Sequence, residues 1–200
     1  MGNHQKRAVV ADALRCVEPL TEVCPAPASG RAVDWDATEA AVGAPLPADY
    51  KRLVETYGGG VFADTVWLLE PGCPEAMYDL VAQIGERKEI LTELWAAGED
   101  EFLPPELQEP GTWLLPWGYM EGGGHFLYWL VRPGTAPEEW TVLLNEGRGP
   151  YWETHPALCS RLLLETVTGR TTSFYLEISD DLVDAADRYR FRPNTEIFGE

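Results

Sequence analysis

A run of short strand-like segments in the middle of the chain limits the folds that are open to it. The segments cover residues 113–115, 117–120, 125–132, 140–145 and 151–154, and turns rich in glycine and proline separate them. Strands joined by such short connections pair antiparallel, because a parallel crossover needs a dozen or more residues. The centre of the chain therefore predicts an antiparallel sheet.

Helical patterns precede this run. Asp34 is placed to cap a helix over residues 35–42 that ends at Gly43. Pro47 suits the first turn of a second helix, because its missing N–H would be unpaired there, and that helix ends at the glycines 58–60.

The remaining elements complete the pattern. The sequence predicts one or two short strands within 61–70, a helix over 74–97, an acidic proline-rich loop over 98–111, a helix over 156–168, a strand over 172–178, a helix over 180–187 and an extended end. Helices that flank a central run of strands favour an α+β fold, with a central, mainly antiparallel β-sheet and helices packed on one side and at the ends.

The first part of the chain is predicted to lie outside this domain. Residues 7–18 fit a short helix, and residues 19–33 contain Pro19, Pro25 and Pro27 and are interpreted as a linker. We therefore expect an N-terminal extension and proline-rich linker over 1–33 and a single domain over 34–200.

Charge is the most unusual bulk property. Asp and Glu number 33 and Lys and Arg 15, which gives a net charge of −18. This surplus disfavours nucleic acid, because phosphate binding needs clustered cations, and it attracts basic partners over long distances. A charged surface also keeps a protein soluble, so the charge alone does not establish a partner.

The sequence offers no catalytic, metal-binding or cofactor-binding motif. The four cysteines are scattered without a C-x-x-C pair, and the three histidines lack metal-ligand spacing. Residues 8–20 are interrupted by charges, and no apolar run approaches membrane-spanning length. We expect a cytoplasmic protein without a membrane partner; its oligomeric state is not indicated.

An ordered set of short motifs carries a family resemblance. It comprises a short helix with Glu39, then Gly43, Leu46-Pro47, Tyr50, a helix that ends in Tyr57-Gly58-Gly59-Gly60, Leu115-Pro116-Trp117-Gly118, Phe126-Leu127-Tyr128-Trp129, Trp140-Thr141-Val142-Leu143 and the segment 162–169. In this order the motifs resemble the SUKH superfamily across roughly residues 34–170. The motif residues themselves are interpreted as structural, with Tyr50, Leu53 and Trp129 in the core.

The resemblance implies an α+β fold and a binding role without shared catalytic groups. SUKH members include bacterial immunity proteins encoded beside secreted polymorphic toxins, and a fungal cell-wall-assembly regulator. The first hypothesis is therefore a non-enzymatic immunity protein that neutralises a basic toxin domain by binding it. A regulatory or scaffolding module without a toxin partner is the second, and a hydrolase that uses His155 or Cys159 is the third.

Two acidic clusters are candidates for contact with a partner. Glu99, Asp100 and Glu101 follow a predicted helix end at Gly98, where negative charge is unfavourable, so helix electrostatics do not explain them. The adjacent pair Glu138 and Glu139 is the second candidate. The pair does not by itself indicate glycosidase carboxylates, because such pairs are defined by a spatial separation.

Overall fold

The computed structural model describes residues 17–28, 30–96, 103–147, 151–173, 175–178, 183–184 and 187–199. The α-helices are α1 Val17–Val23, α2 Trp35–Val42, α3 Ala48–Tyr57, α4 Leu80–Ala96, α5 Cys159–Val167 and α6 Asn194–Phe198. The strands are β1 Gly60–Phe62, β2 Val66–Leu68, β3 Trp113–Met120, β4 His125–Val131, β5 Thr141–Asn145, β6 Trp152–His155 and β7 Phe191–Pro193. Within these ranges, 3₁₀ turns cover Ala76–Tyr78, Pro105–Gln108 and Pro137–Glu139.

The strands form one seven-stranded sheet in the order β6-β5-β4-β3-β2-β1-β7. Every neighbouring pair in that order is antiparallel. The α+β fold with a central antiparallel sheet is therefore confirmed. β7 comes from the end of the chain and pairs with β1, so the sheet joins distant parts of the sequence.

Local signals set the ends of the first predicted helices as expected. The Asp34 side chain accepts a hydrogen bond of 3.0 Å from the Ala37 N–H and so caps α2. Gly43 and Gly58 follow α2 and α3 with φ angles of 81° and 74°, a region in which a side chain is strained. The predicted ends of both helices are confirmed.

β3 is one strand, where the sequence indicated two segments separated at Pro116. A β-bulge shifts the β3–β4 register between Pro116 and Gly118. Proline has no N–H to donate to the ladder, and a bulge accommodates it within a central strand. The bulge places Trp117 in the core, where its ring stacks on Trp129 at 5.8 Å.

The sheet has two covered faces. Leu127 and Trp129 point to the main core, which also contains buried residues of α1, α2, α3 and α5. Phe126 and Tyr128 alternate with them along β4 and pack with Leu91 of α4 on the other face. The sequence placed the helices on one side of the sheet; in the structure Leu80 at the start of α4 is buried in the main core, and Leu91 further along α4 packs on the opposite face.

The interpretation of residues 19–33 as a linker is wrong in its first part. α1 extends through Val23, and its Val17 and Leu20 are buried in the main core together with Cys24. The linker was inferred from the prolines, but Pro19 lies in the first turn of α1. A proline is compatible with a helix there, because its missing N–H would have no helical acceptor. The hydrophobic core therefore begins before Asp34.

The predictions for the tail are also corrected. The described residues of 172–178 form no strand, although Leu176 and Ile178 are buried. Part of the predicted helix 180–187 lies outside the described residues, and positions 183, 184 and 187 are not helical. The end of the chain, which was predicted to be extended, contains β7 and α6. Both elements are too short to be identified from a hydrophobic pattern.

Candidate functional site

Glu138 and Glu139 border a groove of about 380 Å³. They lie in the 3₁₀ turn that precedes β5, and the opposite wall is formed by residues 156–158 and Arg161 at the start of α5. Trp140 also lines the groove and is itself buried. The structure thus places one of the two predicted acidic clusters on a concave surface.

The first turn of α3 is bonded to both walls of this groove. Pro47 precedes α3 and has no polar side chain with which to cap it. Glu138 Oε1 instead accepts a hydrogen bond of 3.3 Å from the Ala48 N–H. The next residue, Asp49, accepts a hydrogen bond from the N–H of Ser160, which lies between the wall residues Leu158 and Arg161 in the chain. One helix end therefore fixes the separation of the two walls.

Asp49, which belongs to α3, caps the N-terminus of α5. Leu158 occupies the N-cap position of α5 and makes no side-chain cap. Asp49 Oδ2 accepts hydrogen bonds from the Ser160 N–H and hydroxyl, both at 2.9 Å, and from the Cys159 thiol at 3.1 Å. Asp49 is fully buried, and a carboxylate is favoured at this positive end of a helix. The sequence interpretation did not identify this residue, since its partner lies 111 positions away.

One wall of the groove carries two carboxylates, Glu138 and Glu139, and the other carries the cation of Arg161. Glu139 is exposed and forms no ion pair with any described residue. Arg161 on the opposite wall bonds to Glu165 one turn further along α5, with Nε and Oε1 2.8 Å apart. Glu138 is half-buried by its contact with α3. Glu139 is therefore the member of the predicted pair whose carboxylate is available to a partner.

The cluster Glu99, Asp100 and Glu101 lies outside the described residues. Its flanks are described on both sides, because α4 ends at Ala96 and the chain continues from residue 103 into the turn Pro105–Gln108. The contact role of this cluster remains a prediction.

His155 and Cys159, the groups named for a hydrolase, engage different carboxylates. His155 Nε2 lies 3.1 Å from Glu153 Oε2, whereas Cys159 bonds to Asp49. Burial, together with the neighbouring Asp49 carboxylate, raises the pKa of the Cys159 thiol well above its usual range. Because the thiolate is the nucleophilic form, this environment argues against Cys159 as a nucleophile.

The motif residues that carry the family resemblance have structural contacts. Glu39 Oε1 accepts a hydrogen bond of 2.7 Å from the Leu46 N–H and pairs with Lys51, which fixes the turn between α2 and α3. The Tyr50 hydroxyl donates to the Leu69 carbonyl at 2.7 Å, and burial raises its pKa. Tyr50, Leu53 and Trp129 are buried, so their predicted place in the core is confirmed.

A second buried polar cluster joins three distant segments. The Glu70 carboxylate is 1% exposed and lies 2.7 Å from Arg31 Nη1, while Asn194 Nδ2 donates to Glu70 Oε1 at 2.7 Å. Gly59 passes so close that a Cβ there would lie 2.5 Å from Glu70 Cγ. Within this cluster the Glu70 carboxylate pairs with the Arg31 cation, and the hydrogen bond from Asn194 connects α6 to the segment that follows β2. No local pattern in the sequence indicates this cluster.

Two other kinds of feature are absent from the described part of the chain. No group of three or more Cys, His, Asp and Glu side chains in those ranges is arranged to hold a metal ion. Nor does any helix within them combine the length and the apolar character that a membrane crossing requires.

Comparison with known proteins gives no relative from which a role can be transferred. No family model, no curated protein and no solved structure matches the chain. The groove and the two buried carboxylate clusters are therefore interpreted from their own chemistry.

The buried cysteines give a direct test of the core. Cys24, Cys73 and Cys159 are buried, and burial raises the pKa of Cys24 from 9.0 to about 12. In a Cys16→Ser variant at about pH 8, we expect no reaction with Ellman's reagent before unfolding and full reaction in guanidinium, since little thiolate forms and access is blocked. A thiol that reacts rapidly in the folded protein would contradict the buried placement.

Proposed function

We propose that this chain is a SUKH-type, non-enzymatic protein-binding module, specifically an immunity protein that neutralises a cognate bacterial toxin in the cytoplasm by binding it directly. The observation that carries the proposal is the groove at Glu138 and Glu139, where the exposed Glu139 carboxylate, which pairs with no cation among the described residues, borders a concave surface. The net charge of −18 makes a basic partner favourable for the molecule as a whole. A basic toxin domain is the partner that this charge favours.

Two physical effects support capture of such a partner. A strongly acidic protein accelerates its encounter with a basic one, because the field acts beyond contact distance and salt screens it. Glu138 caps α3 and Asp49 caps α5, each from a different segment of the chain. These hydrogen bonds hold the groove walls in place before binding. A preorganised surface loses less entropy on association and so binds more tightly.

The partner is tested by capture followed by rescue. The tagged full-length chain is incubated with lysate of its native bacterium at low and high salt, and the retained proteins are identified by mass spectrometry. The captured domain is then expressed in a sensitive host with and without this chain. Salt-dependent capture of one basic toxin domain and restored growth support the immunity role. Retention of housekeeping proteins alone, with no rescue, favours a regulatory or scaffolding module instead.

Glu139→Gln tests whether the groove takes part in binding. Removing this exposed carboxylate is expected to slow association with the captured domain about twofold to fivefold at low salt, with a smaller effect at high salt. Stopped-flow or surface-plasmon measurements at several salt concentrations give the rates. Glu93→Gln, which removes an exposed charge on α4, is the matched control. Equal rates for both variants and the unaltered chain would remove the groove from the interface.

The second acidic cluster has its own test. Replacing Glu99, Asp100 and Glu101 together by Gln, Asn and Gln is expected to slow association and to weaken its salt dependence, because three charges are lost at once. Association rates measured over the same salt series decide the point. Rates that match those of the unaltered chain would exclude this cluster from the interface and leave the groove hypothesis intact.

A further inference from the structure

A second groove lies between α4 and the start of β3, where the apolar residues of both sheet faces meet. It encloses about 260 Å³. One wall is a stripe of α4 that includes Ile84, Leu91 and Trp95, and the other includes Trp113. The spacing of the helical residues places them on one side of α4 along about 16 Å, at about 1.5 Å of rise per residue. The groove is therefore elongated and apolar.

Two cations interrupt this apolar wall. Arg87 and Lys88 both line the groove, in a protein where acidic residues outnumber basic ones by 33 to 15. The Arg87 guanidinium lies 4.2 Å from the centre of the Phe126 ring, and its side chain is only 11% exposed. Its ion partner, the Glu86 carboxylate, is half exposed to solvent. Lys88 is exposed and forms no ion pair with a described residue.

A charged group at an apolar surface is stabilised by a partner that offers both an opposite charge and apolar contact. Here a negative group complements Lys88, which pairs with no described carboxylate, and the neighbouring Arg87, and an apolar body contacts the tryptophans. The hydroxyl of Thr112 is buried at the same groove without a hydrogen-bond partner among the described residues. The volume of 260 Å³ holds about nine groups of the size of a water molecule, each of about 30 Å³.

From this geometry we propose that the groove between α4 and β3 binds a small apolar carboxylate of about eight carbon atoms as a free ligand. The carboxylate lies at Arg87 and Lys88, and the hydrocarbon body contacts Leu91 and Trp95. This site shares no lining residue with the Glu138–Glu139 groove, so it is independent of the proposed partner binding.

Octanoate is the probe, and 1-octanol is its neutral counterpart. Each is titrated into the ¹⁵N-labelled full-length chain and followed by two-dimensional NMR. We expect saturable shifts for octanoate, with a Kd of about 1 mM, that centre on residues 84–95 and 112–114. Octanol is expected to bind at least about fivefold more weakly, because it offers no charge to the cations. Shifts that remain linear, map elsewhere or are equal for both probes would overturn the proposal.

Variants separate the charge from the apolar wall. Lys88→Gln is expected to weaken octanoate binding about threefold, since an exposed cation contributes modestly. Trp95→Ala removes a large part of the wall and is expected to weaken it about tenfold or more. Arg52→Gln removes an exposed cation outside the groove and is the matched control. An effect of Arg52→Gln as large as that of Lys88→Gln would show that octanoate senses only the overall charge.

Discussion

Replacing Trp129 by alanine is expected to lower the free energy of unfolding by about 3–5 kcal/mol, the range for deletion of a large buried aromatic side chain. Trp129 is 2% exposed and lies at the centre of an aromatic cluster. Its ring meets the edge of Tyr50 at 5.0 Å, stacks on Trp117 at 5.8 Å and lies 6.3 Å from Trp140. The substitution removes packing contacts within the sheet, with Tyr50 of α3 and with Trp140, which lines the groove at Glu138 and Glu139.

Urea denaturation followed by far-ultraviolet circular dichroism measures this loss. Trp152→Ala is the matched control, because Trp152 lies on the edge strand β6 and is only partly buried. The control is expected to cost about 1–2 kcal/mol, as less apolar area leaves water there. Trp129→Phe keeps most of the packing and is expected to lie between the two. Equal losses for Trp129→Ala and Trp152→Ala would show that the cluster is not the centre of the core.

Elements with local signals were predictable from the sequence. The Asp34 cap, the glycine ends at Gly43 and Gly58 and the antiparallel sheet follow from residues that are close neighbours in the chain. The order of short strands and turns sufficed for the fold class, because short connections permit few topologies. The tail lacked such signals, so its predicted strand over 172–178 was wrong.

The construction of the acidic groove was not predictable in the same way. The sequence singled out Glu138 and Glu139 by charge alone, whereas their position depends on contacts between distant segments. Glu138 meets Ala48 across 90 positions. The helices α3 and α5 begin after Pro47 and Leu158, which cannot cap with their side chains, and that lack was the only local sign that a carboxylate must come from elsewhere.

The same limit explains why the groove between α4 and β3 was not predicted. A helix over 74–97 was predicted, but its sequence does not indicate which face of the sheet the helix covers. Alternation along β4 shows that Leu91 of α4 packs on the other face, where Phe126 and Tyr128 lie. Arg87 and Lys88 become neighbours of an apolar wall only through that placement. A helical pattern identifies the buried side of a helix and does not identify the face of the sheet that buries it.

Asp49→Ala is expected to lower the free energy of unfolding by about 2–4 kcal/mol, because it leaves buried donors without their acceptor. The Ser160 N–H, the Ser160 hydroxyl and the Cys159 thiol all donate to Asp49 Oδ2, and Ser160 is fully buried. Ser160→Ala removes one of these donors and keeps the backbone bond, so it is expected to cost about 1 kcal/mol. Asp49→Asn retains an acceptor oxygen and is expected to fall between the two.

A double-mutant cycle of Asp49→Ala with Ser160→Ala measures whether the two residues act as one cap. Because they share a hydrogen bond, we expect a coupling of at least about 0.5 kcal/mol in urea denaturation. The cap also holds α5 against α3 beside Glu138, so Asp49→Asn should weaken partner binding more than Glu93→Gln while the chain stays folded. Additive losses would mean that the hydroxyl of Ser160 does not contribute to the cap, which would then depend on the backbone N–H of Ser160. Binding that does not respond to Asp49→Asn would mean that the groove walls need no fixed separation.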